Sequence, residues 1–501
     1  MGSQGESKEA RHHGWLFICL ELPVIGEDLL SQKTHQAKIH QMKTGYKPMK
    51  GHQKLAIALA IVASAQYAEA QSSGPAAKAP YSVSVFAGKP AGLSNPDSIT
   101  TANGNIFVLY ANATQADGTG GFSTIVEYSP TGVILHTFDV IGKSDGLKYN
   151  PFDHKLWALR NEDSNPALTL IDPKTGLKTD YTYAQLPPVH GGGYDDVVFT
   201  NGETFISASN PTVDAKGQNN SPSIVKARLV GHQVFVTPVL QGNASLIDIA
   251  TGNNVVSLQS DPDSLKVDSA GNLVLDSQAD GDLIFINAPG SPNQAALRLH
   301  LSNGISGSSF KKITVDDTVF PTSPSGTIYV VDTKGDTVYA VRSDAFQPGG
   351  AYSASDSDGI LGKVDLSTGL VTPIVTGMKT PHGALFVSAI SDVSVFRSDD
   401  ISFQGPNVVD VAFKVERTGD VSKEIQVKYV VKDLASEDDS RTFTGSVDIE
   451  PGKSSAEFRI PITTWQEIGE DGLNQEATVI LQAGSGYNVV YPATATFRLH
   501  F

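Results

Sequence analysis

The stretch that most constrains this chain is residues 260–287, SDPDSLKVDSAGNLVLDSQADGDLIFIN, which hold one repeat unit in its cleanest form. Leu265-Lys266-Val267 reads as a short strand, Ser269-Ala270-Gly271-Asn272 as a turn, Leu273 to Ser277 as a second strand, Ala279-Asp280-Gly281 as another turn, and Leu283 to Ile286 as a third strand. Gly, Asp, Asn and Ser stand where tight reversals need φ > 0 or an Asx turn. A three-strand meander cannot bury both its faces alone. Several must stack around an axis, so the pattern predicts an all-β chain built on a β-propeller.

Worn copies of the unit follow one another from residue 81. Their second strands are Ile106 to Tyr110, Leu156 to Leu159, Thr204 to Ser207, Leu273 to Asp276 and Ile328 to Asp332, and the third strands include Thr124 to Tyr128, Ser223 to Ala227 and Val338 to Val341. Gly383 to Val387 reads as the innermost strand of one further blade whose outer strand is Tyr81 to Phe86, which would close the ring and remove an exposed edge. Six blades is the best count, with five and seven as its neighbours. Asp356-Ser357-Asp358-Gly359 comes nearest to a calcium loop but lacks the later Glu, and its Gly/Ser/Ala-rich surroundings read as a surface excursion.

Residues 1–48 show no sustained apolar period and read as an upstream extension. From Met49 the pattern changes: Lys50 and Lys54 form a basic region, Leu55 to Ala63 an apolar one, and Ala68-Glu69-Ala70 a small-x-small cleavage site, so 49–70 reads as a signal peptide and the protein as secreted or periplasmic. The apolar run is too short to span a bilayer, and no transmembrane segment is expected in the mature chain. Cys19 is the only cysteine and precedes the cleavage site, which excludes disulfides, thiolate metal sites and a cysteine nucleophile from what remains. After residue 70 the chain carries 29 Lys/Arg against 47 Asp/Glu, a net of −18. That balance argues against nucleic acid and is compatible with cation binding. No nucleotide, flavin or haem motif is present.

Residues 71–80 read as a linker, 81–390 as the propeller and 391–501 as a β-sandwich of longer strands, among them Val408 to Val415, Ile425 to Val431 and Ala477 to Ala483. Side chains just before each innermost strand converge at one mouth of a propeller channel. Here they are Asp97, Asp145, Asp195 or Asp196, Asp263, Asp316 or Asp317, and His382. Such a ring could bind a ligand or hold Ca²⁺ or another divalent cation, with Asp97 and Asp263 as first ligands, and His382 could act as a general base. An Asp in an x-P-D-x turn also needs no ligand to explain it. His190 is the second catalytic candidate, because Gly191-Gly192-Gly193 and Asp195-Asp196 beside it read as a mobile, acid-rich loop or an inter-blade crossover.

The turns Asn95-Pro96-Asp97-Ser98, Asp261-Pro262-Asp263-Ser264 and Thr380-Pro381-His382-Gly383, with Asp268-Ser269-Ala270-Gly271-Asn272-Leu273, resemble the blade core of NHL-type propellers and of the gluconolactonase superfamily. The resemblance implies a divalent ion held by a Glu near the first innermost strand with Asn and Asp from later blades; this chain has Asp97 in place of that Glu. Phe413-Lys414-Val415-Glu416-Arg417-Thr418-Gly419-Asp420, with Glu450-Pro451-Gly452-Lys453, resembles the Calx-beta domain. Glu470, Asp471 and Glu476 lie in the loop that the likeness implies for Ca²⁺, although Thr463-Thr464 stand where an acidic pair is usual. Two functions follow: a binding protein that takes a small molecule, glycan or protein partner at the channel mouth, or a metal-dependent lactonase-like hydrolase on the same scaffold.

Overall fold

The computed structural model describes residues 74–200, 202–305, 310–405, 408–434, 440–463 and 475–499. Residues 49–70, expected to be a signal peptide, and Cys19, Glu470 and Asp471 lie outside the described residues. Every regular element among them is a strand. Six innermost strands, Pro96–Ala102, Ser144–Asn150, Val197–Thr200, Pro262–Val267, Asp317–Val319 and Pro381–Ser388, neighbour one another in that order, and the last returns to the first. Six apolar cores, one between each pair of adjacent blades, complete the ring. Each blade is apolar on both faces for this reason.

Blade 1 runs outward in chain order from Pro96–Ala102 through Asn105–Tyr110 and Phe122–Tyr128 to Ile134–Ile141. Blades 2 and 3 join at their outer edges, where Lys178–Tyr183 pairs in parallel with Gln233–Gln241. Blade 4 gains a hairpin, Ser245–Asp248 with Asn254–Val256, beyond its fourth strand.

Blades 5 and 6 depart from the sequential reading. After Asp317–Val319 the chain leaves blade 5 and forms Gly326–Asp332 and Thr337–Ser343, which pair in blade 6 with Pro381–Ser388 and Ser82–Ala87. It then returns to blade 5 as Ala351–Ser355, Ile360–Val364 and Val371–Thr376. The expected surface excursion is therefore two central strands, and Asp356 to Gly359 is the hairpin turn between them. Its strands escaped notice because Ala351, Ser353 and Ser355 are small, yet all of Ala351–Ser355 is buried on both faces, which erases the period-two signal. Part of the expected linker is also structure: Ala76–Ala77 adds a strand to blade 5.

Only Ala389 and Ile390 separate the last propeller strand from Ser391–Gly405, the first strand of the sandwich. One sheet is ordered Ser455–Thr463, Val408–Thr418, Ser391–Gly405, Tyr487–Val489; the other is Ser440–Ile449, Ile425–Leu434, Gln475–Leu481, Thr494–Leu499. Val393, Val411, Phe413, Val427, Val431 and Val479 fill the space between them. Arg417 is buried among these sheets because each nitrogen of its guanidinium donates to a backbone carbonyl, those of Val421, Lys423, Glu450 and Lys453.

Candidate functional site

The same local defect opens the innermost strand of four blades. In blade 1, Pro96 pairs with Tyr110 and Ile99 with Val108, so Asp97 and Ser98 together oppose one residue. Blades 2, 4 and 6 repeat this at Asp145-Gly146, Asp263-Ser264 and His382-Gly383. A β-bulge of this kind re-aims its two residues away from the strand's pleat. Asp195-Asp196 and Asp316-Asp317 occupy the same place in blades 3 and 5. Each blade thus sends one residue to an upper ring, Asp97, Asp145, Asp195, Asp263, Asp316 and His382, all lining a cavity of about 310 Å³.

The glycines of two bulges follow from crowding. A Cβ on Gly146 would come 1.7 Å from the Asp195 carbonyl oxygen, and one on Gly383 would come 2.4 Å from that of Asp97. Neighbouring blades touch through backbone at these points, which sets the ring's diameter.

His382 bridges the seam where the ring closes: its Nδ1 lies 3.1 Å from Asp97 Oδ1 and 3.2 Å from Asp316 Oδ1. Burial works against its charge, but Asp316 and Asp97 outweigh burial and raise the imidazole to about 10. The general-base role expected for it is therefore inverted at neutral pH, where it holds a proton. Burial also opposes ionisation of Asp97, yet the hydrogen bond and charge of His382 keep that carboxyl below the ordinary range.

The rest of the ring is short of cations. Asp97, Asp145, Glu162, Asp195 and Asp263 form a run in which each carboxyl is within hydrogen-bonding reach of the next. Two carboxylates cannot make such a contact without a shared proton or a cation. Burial and then the neighbouring acids raise Asp263, Asp316, Asp195 and Glu162 well above their usual range. Asp145 rises to about 7, chiefly through burial. Lys143 sits 2.8 Å from Asp145 Oδ2 and 2.7 Å from Glu162 Oε1. Oδ1 of Asp145 is buried with no partner, while Oδ2 has only Lys143.

A second layer lies one residue deeper and is neutralised. Lys266 Nζ stands 2.7 Å from Asp317 Oδ1 and 3.5 Å from Asp196 Oδ2, and Lys148 Nζ 3.6 Å from the same Asp196 oxygen. Asp196 also accepts from the backbone N–H groups of Val197 and Leu265. Burial disfavours its charge, but Lys148 and Lys266 hold it below the usual range. The choice between Asp195 and Asp196, and between Asp316 and Asp317, is thereby resolved: the first of each pair faces the mouth and the second is tied into the deeper layer.

Sequence reasoning missed Lys143, Lys148, Glu162, Lys266 and Asp356. A signal for two of them exists, because Asp145-Gly146-Leu147-Lys148 and Asp263-Ser264-Leu265-Lys266 repeat an Asp-x-x-Lys spacing. Glu162 and Asp356 reach the cavity from loops after other strands and carry no such mark. His190 does not line this cavity. It is buried, with Nε2 2.6 Å from the Gly193 carbonyl and its ring edge-on to Tyr194. Nor are the glycines beside it a mobile loop: a Cβ on Gly193 would meet the Glu162 carbonyl at 2.0 Å, and one on Gly192 the Ser209 carbonyl at 2.2 Å. Their smallness lets this segment press against the loop that carries Glu162. Glu476 pairs with Arg498 at 2.6 Å.

All donors at the mouth that suit a metal are hard oxygens. Among the described residues no group of three or more His, Cys, Asp or Glu side chains stands where it could hold a metal ion.

Fold and site together define a six-bladed β-propeller with an acidic mouth and a C-terminal β-sandwich. No protein-family model matches the sequence, and no curated protein matches it. Among solved structures, the chain is similar to a gluconolactonase-like protein at 11% identity, TM-score 0.36, over 68% of this chain and 93% of the other. It is similar to the apo-form Calx CBD1 domain at 18% identity, TM-score 0.17, over 22% of this chain and 95% of the other. Hydrazine synthase of Kuenenia stuttgartiensis matches at 10% identity, TM-score 0.26, over 66% of this chain and 78% of the other. At these scores the fold rests on strand topology, not on the likenesses.

Proposed function

We propose that this chain is a secreted or periplasmic binding protein, kin to NHL and gluconolactonase-like propellers with a Calx-beta-like sandwich, whose mouth takes a hard cation or a small ligand carrying one. The observation that carries this reading is the run of carboxyls from Asp97 to Asp263, each contact of which needs a proton or a cation. Asp97, Asp145, Asp195, Asp263 and Asp316 would supply oxygen ligands, and Ca²⁺ suits them best. A divalent ion would displace the shared protons, so binding should release protons and strengthen as pH rises. Calorimetry of Ca²⁺ binding in two buffers of different ionisation enthalpy tests this; no heat of binding at millimolar Ca²⁺ contradicts it.

A lactonase-like hydrolase is the second reading, favoured by His382 held between Asp97 and Asp316 beside the metal candidates Asp97 and Asp263. The protonated imidazole would serve there as an acid or as a partner for a developing oxyanion. Turnover of simple lactones that needs a divalent ion and is lost in His382→Gln would establish it, whereas no turnover in the presence of Ca²⁺, Mn²⁺ or Zn²⁺ leaves the binding reading alone.

A further inference from the structure

We propose that the chain has a second ligand site, at the opposite end of the propeller, which takes a neutral oligosaccharide. The innermost strands run from the acidic mouth to the rear face, and over their rear ends lies a cavity of about 1260 Å³. Its floor is formed by Thr101 to Asn103 of blade 1, Tyr149 to Pro151 after blade 2's first strand, and Phe199, Val267 and Phe320 of blades 3 to 5. Its roof is the first sheet of the sandwich. Ser394, Phe396, Lys414 and Glu416 face the cavity, while Val393, Val395, Phe413 and Val415 between them fill the sandwich core. That is the period-two alternation of a strand with two occupied faces.

The roof is fastened, so the cavity is part of the fold. Tyr491 and Thr200 share a hydrogen bond of 2.8 Å between hydroxyls, Thr322 donates to Asp392, and Phe152 packs edge-on against Phe396 with ring centres 5.0 Å apart. A Cβ on Gly271 would meet the Tyr491 ring at 2.4 Å, so a bare glycine seats that ring.

The chemistry inside differs in kind from the mouth. His154 sits in a turn at φ +59°, a region that Asn, Asp and His enter more readily than other residues with a side chain, and its ring lies at the propeller–sandwich border. The Tyr149 hydroxyl lies 3.1 Å from its Nδ1, Lys414 Nζ lies 2.8 Å from its Nε2, and the same ammonium lies 2.7 Å from Glu416 Oε1. Burial first, then the charges of Lys414 and Lys174, push His154 down to about 4, so its ring is a neutral acceptor for the Lys414 ammonium. Lys414 and Glu416 cancel one another in place. What remains to meet a ligand is a set of donors and acceptors beside the rings of Tyr149, Phe199, Phe320 and Phe396, which line the same cavity. Vicinal hydroxyls donate and accept at once, and the CH face of a sugar ring suits an aromatic platform. The lining as a whole carries six acids against five bases, so an anion finds no net positive charge here. The volume exceeds that of ordinary small-molecule pockets, about 300–1,000 Å³, which favours several linked rings over one.

The test is titration calorimetry of the full chain with neutral cello-, xylo-, manno-, malto- and chito-tetraose, and with tri-galacturonate as the charged control. A neutral tetrasaccharide should bind, tri-galacturonate should bind about tenfold more weakly or not at all, and Lys414→Met should cost about tenfold in affinity, as expected for a lost charged hydrogen bond. Because Lys414→Met could loosen the roof, Tyr149→Phe removes one oxygen from the propeller side alone and should weaken binding severalfold with an unchanged melting temperature. Asp263→Asn, at the other end of the channel, should leave sugar affinity unaltered. Binding by none of the neutral tetrasaccharides, affinity that survives both chamber substitutions, or affinity lost in Asp263→Asn would each overturn the proposal.

Discussion

Asp195 and Asp196 are chain neighbours on one blade, and the protein treats them oppositely. Asp195 joins the upper ring, where burial and other carboxyls raise it well above its usual range, while Asp196 joins the deeper layer, where two lysines and two backbone N–H groups hold it down. Asp316 and Asp317 differ in the same sense of place: Asp317 has Lys266 2.7 Å away and accepts from the Ala384 N–H, and Asp316 has His382 and Gln278. The deeper layer sets two lysines against two carboxylates, whereas the upper ring holds more acids than cations. A step of one residue separates carboxylates paired with lysines from carboxylates that crowd one another.

Lys266→Met should therefore have the largest effect, because it strands Asp196 and Asp317 in a buried site; a loss of about 3–5 kcal/mol is expected in chemical denaturation. A loss under about 1 kcal/mol would mean that the deeper layer is no better paired than the ring. Gly146→Ala should come next. Its methyl group would meet the Asp195 carbonyl, and roughly 3 kcal/mol or more should be lost as blades 2 and 3 are forced apart at the ring.

The comparison also predicts an unusual pH profile. Asp145, raised to about 7, and His382, raised to about 10, hold protons in the folded chain that the unfolded chain releases earlier. Asp145's contribution is whole below its ordinary carboxyl range and is lost as pH rises through about 7; that of His382 is whole below 6.5 and is lost as pH rises through about 10. Asp97 and Asp196, both lowered, act in the opposite sense and only in acid. His154, lowered to about 4, and Lys148, lowered to about 8, add stability as pH rises to 6.5 and again from about 8 towards 10.5, so in the absence of divalent ions the melting temperature should fall most steeply between about pH 6.5 and pH 8. A flat profile over that interval would mean that the ring carboxyls titrate like surface ones.

Much of this was legible. Pro-Asp-Ser and Pro-His-Gly turns before apolar runs marked Asp97, Asp263 and His382, and the alternating strands with Gly/Asp/Asn turns gave the blades. Where pattern failed, a physical cause is evident. Asp195 and Asp196 are indistinguishable as letters, because which one faces the mouth depends on how both pair with Ser207 once the strand is in place. Glu162 reaches the mouth because Gly193 admits its backbone, a contact between segments 31 residues apart. The exchange of strands between blades 5 and 6 left no trace, since Gly326–Asp332 is a good second strand for either blade. His190 drew notice as an imidazole beside glycines, and those glycines serve packing.

The most direct measurement is a calcium titration of the melting temperature of the full chain and of Asp263→Asn at neutral pH. Asn keeps the turn and removes one ring charge, so the variant should be at least as stable as the parent without calcium. The parent should melt higher with each increment of calcium, by mass action, and Asp263→Asn should lose most of that gain. A melting temperature that does not move in the parent across millimolar calcium would contradict the claim that the upper ring awaits a cation.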